Sequence, residues 1–166
     1  MHPGGMPALE SENNPILAVV MPSTLTSLHF HIVFAVKHRE PRISPEWITR
    51  LHEYLGGTIR GLGGAPDVIG GVADHVHMLF ALKPTHRLSD IMREVKRSSS
   101  VWIAETLKIT NFRWQEGYAA FSVSASAINS VTSYIVNQAK HHQIRGFDEE
   151  LAEFLEKSGA GVMSSP

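Results

Sequence analysis

Two β-like segments stand back to back in the middle of the chain, and they restrict the fold more than any other feature. PDVIGGVAD (Pro66–Asp74) and HVHMLFAL (His75–Leu82) are rich in Val, Ile, Phe and Leu. They follow one another directly and read as one hairpin turning around Ala73 and Asp74. Pro84 closes the second. A helical pattern flanks each side. Upstream, SPEWITRLHEYLGGTIRGLGG opens with Ser44 as a cap and Pro45 at the first helical position. It repeats Trp47, Ile48, Leu51 and Leu55 at helical spacing and ends in Gly61, Gly63 and Gly64. Downstream, RLSDIMREVKRSSSVWIAETL places Leu88, Ile91, Met92, Val95, Val101, Trp102 and Ile103 in the same way, with Ser89 as its expected cap.

A further strand is expected before and after this unit in the chain. SLHFHIVFAVK (Ser27–Lys37) alternates around Phe30, Ile32, Phe34 and Val36, and FRWQEGYAAFSVS (Phe112–Ser124) mixes aromatic and small residues. A third helix is predicted over ASAINSVTSYIVNQAKHHQIR (Ala125–Arg145), stopped by Gly146, and a short acidic one over DEELAEFLEKS. The order β-α-β-β-α-β-α with right-handed crossovers predicts an α+β, ferredoxin-like antiparallel sheet. Its helices are expected on one face, leaving the other for a ligand or a second subunit. Residues 1–22 read as a disordered leader, 23–146 as the working domain and 147–166 as an acidic helix and tail.

Charge is unevenly placed along this order. The net charge is −1, but Glu10 and Glu12 are the only charges of residues 1–21, and residues 147–166 carry five acids against Lys157. Residues 22–146 therefore hold +5, compatible with a polyanionic partner without requiring one. There is no cysteine, which excludes disulfides, thiolate metal sites and cysteine nucleophiles and fits a cytoplasmic location. No run is long enough to span a bilayer.

The unusual chemistry lies inside the second hairpin strand. Residues i and i+2 of a strand share a face, so His75 and His77 are neighbours, while Val76, Met78 and Phe80 point the other way. Two adjacent imidazoles suit a divalent metal, although a pair of half-buried polar residues at a strand start satisfies the pattern equally. On the third helix Tyr134 and Gln138 are four apart and share a side, with His141 and His142 just beyond. A tyrosine hydroxyl is a competent nucleophile when a metal draws the electrophile close, and a Gln carbonyl can serve as a third ligand. Lys37, Arg39, Arg42, Lys96 and Arg97 are candidate phosphate contacts, each equally readable as solvated surface charge. His29 and His31 share the polar face of the first strand. Trp114 and Tyr118 could stack on bases or close a core.

HVHMLF resembles the His-hydrophobic-His motif of the HUH endonucleases. YIVNQAKHH resembles the tyrosine motif of the single-tyrosine HUH transposases, the small insertion-sequence transposases, with the REP-associated tyrosine transposases as relatives. SLHFHIVFAVKHREPRI and FRWQEGYAAFSVS are similar to the family's first strand and to the segment before its tyrosine helix. The resemblance implies that His75, His77 and Gln138 bind Mg²⁺ or Mn²⁺. It implies that Tyr134 attacks a phosphodiester of single-stranded, hairpin-bearing DNA through a 5′-phosphotyrosine link, and that the protein is a homodimer. A non-catalytic nucleic-acid-binding module of the same fold, or a metal-dependent phosphodiesterase using water, would need Tyr134 less.

Overall fold

The computed structural model describes residues 24–141 and 146–158. The expected leader, His142 and the end of the acidic tail lie outside the described residues. The strands are β1 (His29–Ala35), β2 (Ala65–Val72), β3 (His75–Ala81) and β4 (Ala119–Val123). The helices are α1 (Ile48–Gly61), α2 (Leu88–Thr106), α3 (Ile128–Val136), α4 (Gln138–His141) and α5 (Phe147–Ser158). The sheet has four strands in the order β2-β3-β1-β4. All neighbours are antiparallel, the predicted α+β topology.

The two crossover helices cover one face. Ile32, Phe34, Val36, Val76, Met78 and Phe80 point there and pack against Leu51, Leu55 and Ile59 of α1 and Met92, Val95 and Ile103 of α2. Burying a side chain of this size contributes about 1.5–3 kcal/mol. Tyr54 and Trp102 stack between the helices with ring centroids 5.0 Å apart. Trp114 closes the rim of this core edge-on to Phe34 at 4.7 Å, and its indole N–H donates to the Ser99 hydroxyl at 2.9 Å. Its place is therefore in packing.

Local structure departs from the sequence reading at four points. First, the opposite face is not left open. Ile135 of α3 packs with Leu79 and Val123 on it, and Tyr134 joins that cluster. Phe147 and Phe154 of α5 lie against it as well. The apolar stripe of each helix needs a partner surface, and the sheet supplies one. Second, α3 stops at Asn137, whose ψ of 13° leaves the helical range, so Tyr134 and Gln138 stand on successive short helices. The Asn137 amide donates to the Ser133 carbonyl at 2.7 Å, the side-chain competition that shortens helices. Third, the fourth strand begins only at Ala119. Before it, Gly117 takes φ of 75° and Trp114 makes a single bridge to Val36. Fourth, Ser89 lies inside α2, whose cap position is Arg87. Ser44 does accept a bond from the Glu46 amide at 3.2 Å, though regular helix starts at Ile48.

Candidate metal centre and tyrosine

The site forms on the face turned away from the crossover helices. His31 of β1 and His75 and His77 of β3 all point there, each no more than 1% exposed. The β1–β3 register pairs Ala35 with His75, Val33 with His77 and His31 with Leu79. The two imidazoles of β3 each have a partner on Nδ1. His75 Nδ1 lies 2.8 Å from Asp74 Oδ1. His77 Nδ1 lies 2.9 Å from His31 Nε2. Asp74 is itself gripped at Oδ2 by Arg39, at 2.8 Å from Nη2 and 3.2 Å from Nε. Burial works to raise the Asp74 pKa, but the hydrogen bonds from His75 and Arg39 and the guanidinium charge outweigh it and hold the carboxyl well below its usual range. Burial also lowers His31 to about 4, so its ring is neutral at ordinary pH.

Tyr134 reaches this cluster because β2 carries a glycine opposite His77. Gly70 pairs with His77 across the ladder. A methyl on Gly70 would lie 2.7 Å from the Ile135 carbonyl oxygen and 2.8 Å from its Cγ2. Without one, α3 settles on the sheet, and the Tyr134 ring sits edge-on to His77 at 5.6 Å and to His31 at 6.2 Å. Nucleophile candidate and histidines thus meet within one chain. The Tyr134 pKa is raised first by burial and further by the Glu150 carboxylate, while Gln138 opposes the shift. The hydroxyl is therefore a phenol at neutral pH.

Gln138 is 1% exposed. Its amide lies near enough to Tyr134 to favour the phenolate, yet neither amide atom makes a hydrogen bond of normal geometry. A carboxylate also joins the two histidines, that of Glu150 of α5. One ligand atom each from His75, His77 and Glu150 lies within 4.8 Å of the others, and all three residues are buried. Two imidazoles and a carboxylate are a donor set for a divalent ion of borderline hardness, and the buried Gln138 amide adds a neutral oxygen nearby, so the residues present fit a metal. Sequence reasoning missed Glu150 within an acidic run. The signal was the spacing of Phe147, Leu151 and Phe154, which puts Glu150 on the inward side of its helix. Phe147 packs on His75 at 4.6 Å and under the Arg39 guanidinium at 3.7 Å. Phe154 packs on Tyr134 at 5.0 Å.

The basic candidates divide. Arg39 is drawn into the site through Asp74, and also pairs with Asp148 at 3.2 Å. Lys37 projects at the surface, and Arg42 is bonded to Glu40. Lys96 donates to the carbonyls of Gln115 and Gly117 at 2.5 and 2.7 Å and so holds the loop before β4. Arg97 pairs with Glu94 along α2 at 2.6 Å. His29 is bonded to Ser27 and paired with Asp67, at the far end of β1. His141 ends α4, and its side chain and His142 lie outside what is described. Tyr118 is 37% exposed.

The fold is similar to those of solved proteins described as transposases. A protein described as a transposase from Deinococcus radiodurans R1 matches with a TM-score of 0.56 at 21% identity, over 69% of this chain and 93% of that one. A REP-associated tyrosine transposase bound to a REP hairpin matches with a TM-score of 0.54 at 15% identity, over 88% of this chain and 95% of that one. No protein of curated function matches. The model of the IS200-like transposases matches residues 24–138, more than half of the sequence, and the chain belongs to that family. The match ends before α5. Among the described residues no helix is long and apolar enough to cross a membrane.

Proposed function

We propose that this transposase cleaves and rejoins single-stranded DNA in the cytoplasm, with Tyr134 as the nucleophile of a metal-assisted transesterification. The observation that carries the reading is the meeting of Tyr134 with His75 and His77 on a face where Gly70 admits the tyrosine helix. His75, His77 and Glu150, with Gln138 beside them, would hold the ion, Mg²⁺ or Mn²⁺. When bound, that ion supplies positive charge to a scissile phosphate. The Tyr134 oxygen attacks phosphorus, the bond to the 3′ oxygen breaks, and a 5′-phosphotyrosine link forms. The leaving oxygen departs as a 3′-hydroxyl. The phenol proton must leave as the bond forms; the Glu150 carboxylate, which acts on the Tyr134 hydroxyl, would receive it on the oxygen not given to the ion, and a proton is returned to the departing 3′ oxygen. Attack by a 3′-hydroxyl reverses the step, so strand joining needs no nucleotide cofactor.

The solved relative that holds a REP hairpin supports a hairpin-bearing strand as the substrate here. A single strand also bends around a buried site more cheaply than a duplex. Lys37 and Arg39, in the loop after β1, are the candidates to meet its phosphates. Homodimerisation belongs to the reading as well, with each subunit using its own tyrosine, because Tyr134 already contacts the His77 of its own chain. Mixing Tyr134→Phe with His75→Ala protein should then recover no activity.

The deciding experiment is a denaturing gel of protein mixed with labelled hairpin DNA and Mn²⁺. Wild type should give a covalent adduct that EDTA prevents. Tyr134→Phe should give none while still binding the hairpin. An adduct that survives in Tyr134→Phe would remove the tyrosine from the mechanism and favour a hydrolytic phosphodiesterase. No adduct from the wild type would favour a binding module.

A further inference from the structure

Each metal-facing histidine has two ring nitrogens, and only one of them can carry the proton in a neutral ring. For His75 the choice is made by Asp74. A carboxylate held ionised can only accept, so His75 Nδ1 bears the hydrogen and Nε2 keeps its lone pair. Arg39 fixes that carboxylate from its other oxygen. For His77 the partner is another imidazole, and the contact works in either direction. If His31 Nε2 donates, His77 Nδ1 accepts and His77 Nε2 must bear the proton, which closes it to a metal. If His77 Nδ1 donates, His31 Nε2 accepts and His77 Nε2 is open.

We propose that His31 is the positioning residue of the metal centre, accepting at Nε2 from His77 Nδ1–H and so presenting His77 Nε2 to the ion. The inference rests on the metal reading given above. The geometry that carries it is a 2.9 Å contact between rings lying edge to edge and within 22° of coplanar, their centroids 5.2 Å apart. The His31 ring is held from three more sides by Phe121, Tyr134 and Phe154 at 6.0, 6.2 and 4.9 Å. A ring so enclosed has little freedom to turn away. Its hydrogen bond therefore fixes both the tautomer and the plane of His77, as second-layer partners of metal-bound histidines do. The two ligands are thereby made unequal. His75 is backed by a full negative charge and is the stronger donor, while His77 is backed by a neutral ring.

The test uses the full chain and Mn²⁺ alone, with no DNA. Titration calorimetry would compare wild type, His31→Leu and His31→Gln. Leu fills the space without an acceptor, whereas Gln offers a carbonyl oxygen. His31→Leu should lose about 10–100-fold in Mn²⁺ affinity, and His31→Gln should regain most of it. In metal-free protein, long-range ¹H–¹⁵N spectra should show His77 as the Nδ1–H tautomer in wild type and shifted towards Nε2–H in His31→Leu. A merely structural role would lower stability without moving the tautomer. Wild-type Mn²⁺ affinity in a folded His31→Leu, or an Nε2–H tautomer in the wild type, would overturn the proposal. If His31→Leu fails to fold, the wild-type tautomer and the Gln variant still decide it. Wild type that binds no Mn²⁺ would defeat the metal reading, and the His77 tautomer would still report whether His31 is the acceptor.

Discussion

The two faces of the sheet are equally dry and chemically opposite. On β3, Val76, Met78 and Phe80 on one face and His75 and His77 on the other are all 0–1% exposed. Burial alone therefore does not separate core from site. What differs is the cover. The apolar face meets leucines and isoleucines of α1 and α2, where any well-fitting hydrocarbon serves. The histidine face meets a glycine, a carboxylate pair and the edges of aromatic rings, where each polar atom needs its own partner. A one-residue slip of β3 would exchange the faces, so the packing of Met78 and Phe80 is also what aims the histidines.

Substitutions on the two faces should separate accordingly. The largest loss of stability is expected from Phe80→Ala, which leaves a cavity in the fully buried core and costs about 3–5 kcal/mol. Against a total of about 5–15 kcal/mol, that is enough to lower folding and DNA cleavage together. Urea unfolding followed by circular dichroism checks it, and a loss below 1 kcal/mol would mean the core repacks.

Gly70→Ala should cost less, about 1–3 kcal/mol, because the new methyl presses on the backbone of α3. Its signature is selectivity: covalent adduct formation falls steeply while most of the folded fraction remains. Wild-type adduct yield in Gly70→Ala would show that the tyrosine helix is free to lift.

The smallest effect tests the apolar side for a misplaced polar group. His52 on α1 has its Nε2 buried without a hydrogen-bond partner, and burial lowers its pKa from 6.5. Below that value the unfolded chain binds the proton more readily than the folded one, so this residue erodes stability as pH falls. His52→Leu should change stability by less than about 0.5 kcal/mol at pH 8. It should flatten the decline towards pH 5. Parallel urea titrations at the two pH values measure it, and an unchanged acid slope would clear His52.

The same contrast explains what could be read in advance. The apolar face is a local pattern: period two in β1 and β3, helical spacing in α1 and α2. It fixed strand order and fold class from single segments. The His-x-His pair and Tyr134 were legible for the same reason, being short-range. The rest of the site is held by partners far apart in sequence. Arg39 and Asp74 are 35 residues apart, and His31 and His77 are 46 apart. Nothing in either segment marks the other. Glu150 was obscured by its acidic neighbours, and nothing local to Gly70 marks the helix that settles over it. Lys96 is a phosphate candidate or surface charge on sequence, and its bonds to the carbonyls of Gln115 and Gly117 join segments nineteen and twenty-one residues apart.

The bond between His31 and His77 also sets an order of events in time. It spans β1 and β3, strands that pair only after the chain has closed a loop containing α1 and β2. Closing such a loop is entropically costly and slow compared with forming a helix or a hairpin. The β2–β3 hairpin can form early, with His75 and His77 already side by side and Asp74 next to His75, but the His77 ring is not aimed until β1 arrives bringing His31. An emerging or half-folded chain therefore carries the metal-binding residue types without a working centre. On the function proposed above, a chain that stalls before β1 pairs with β3 lacks the bond that orients His77.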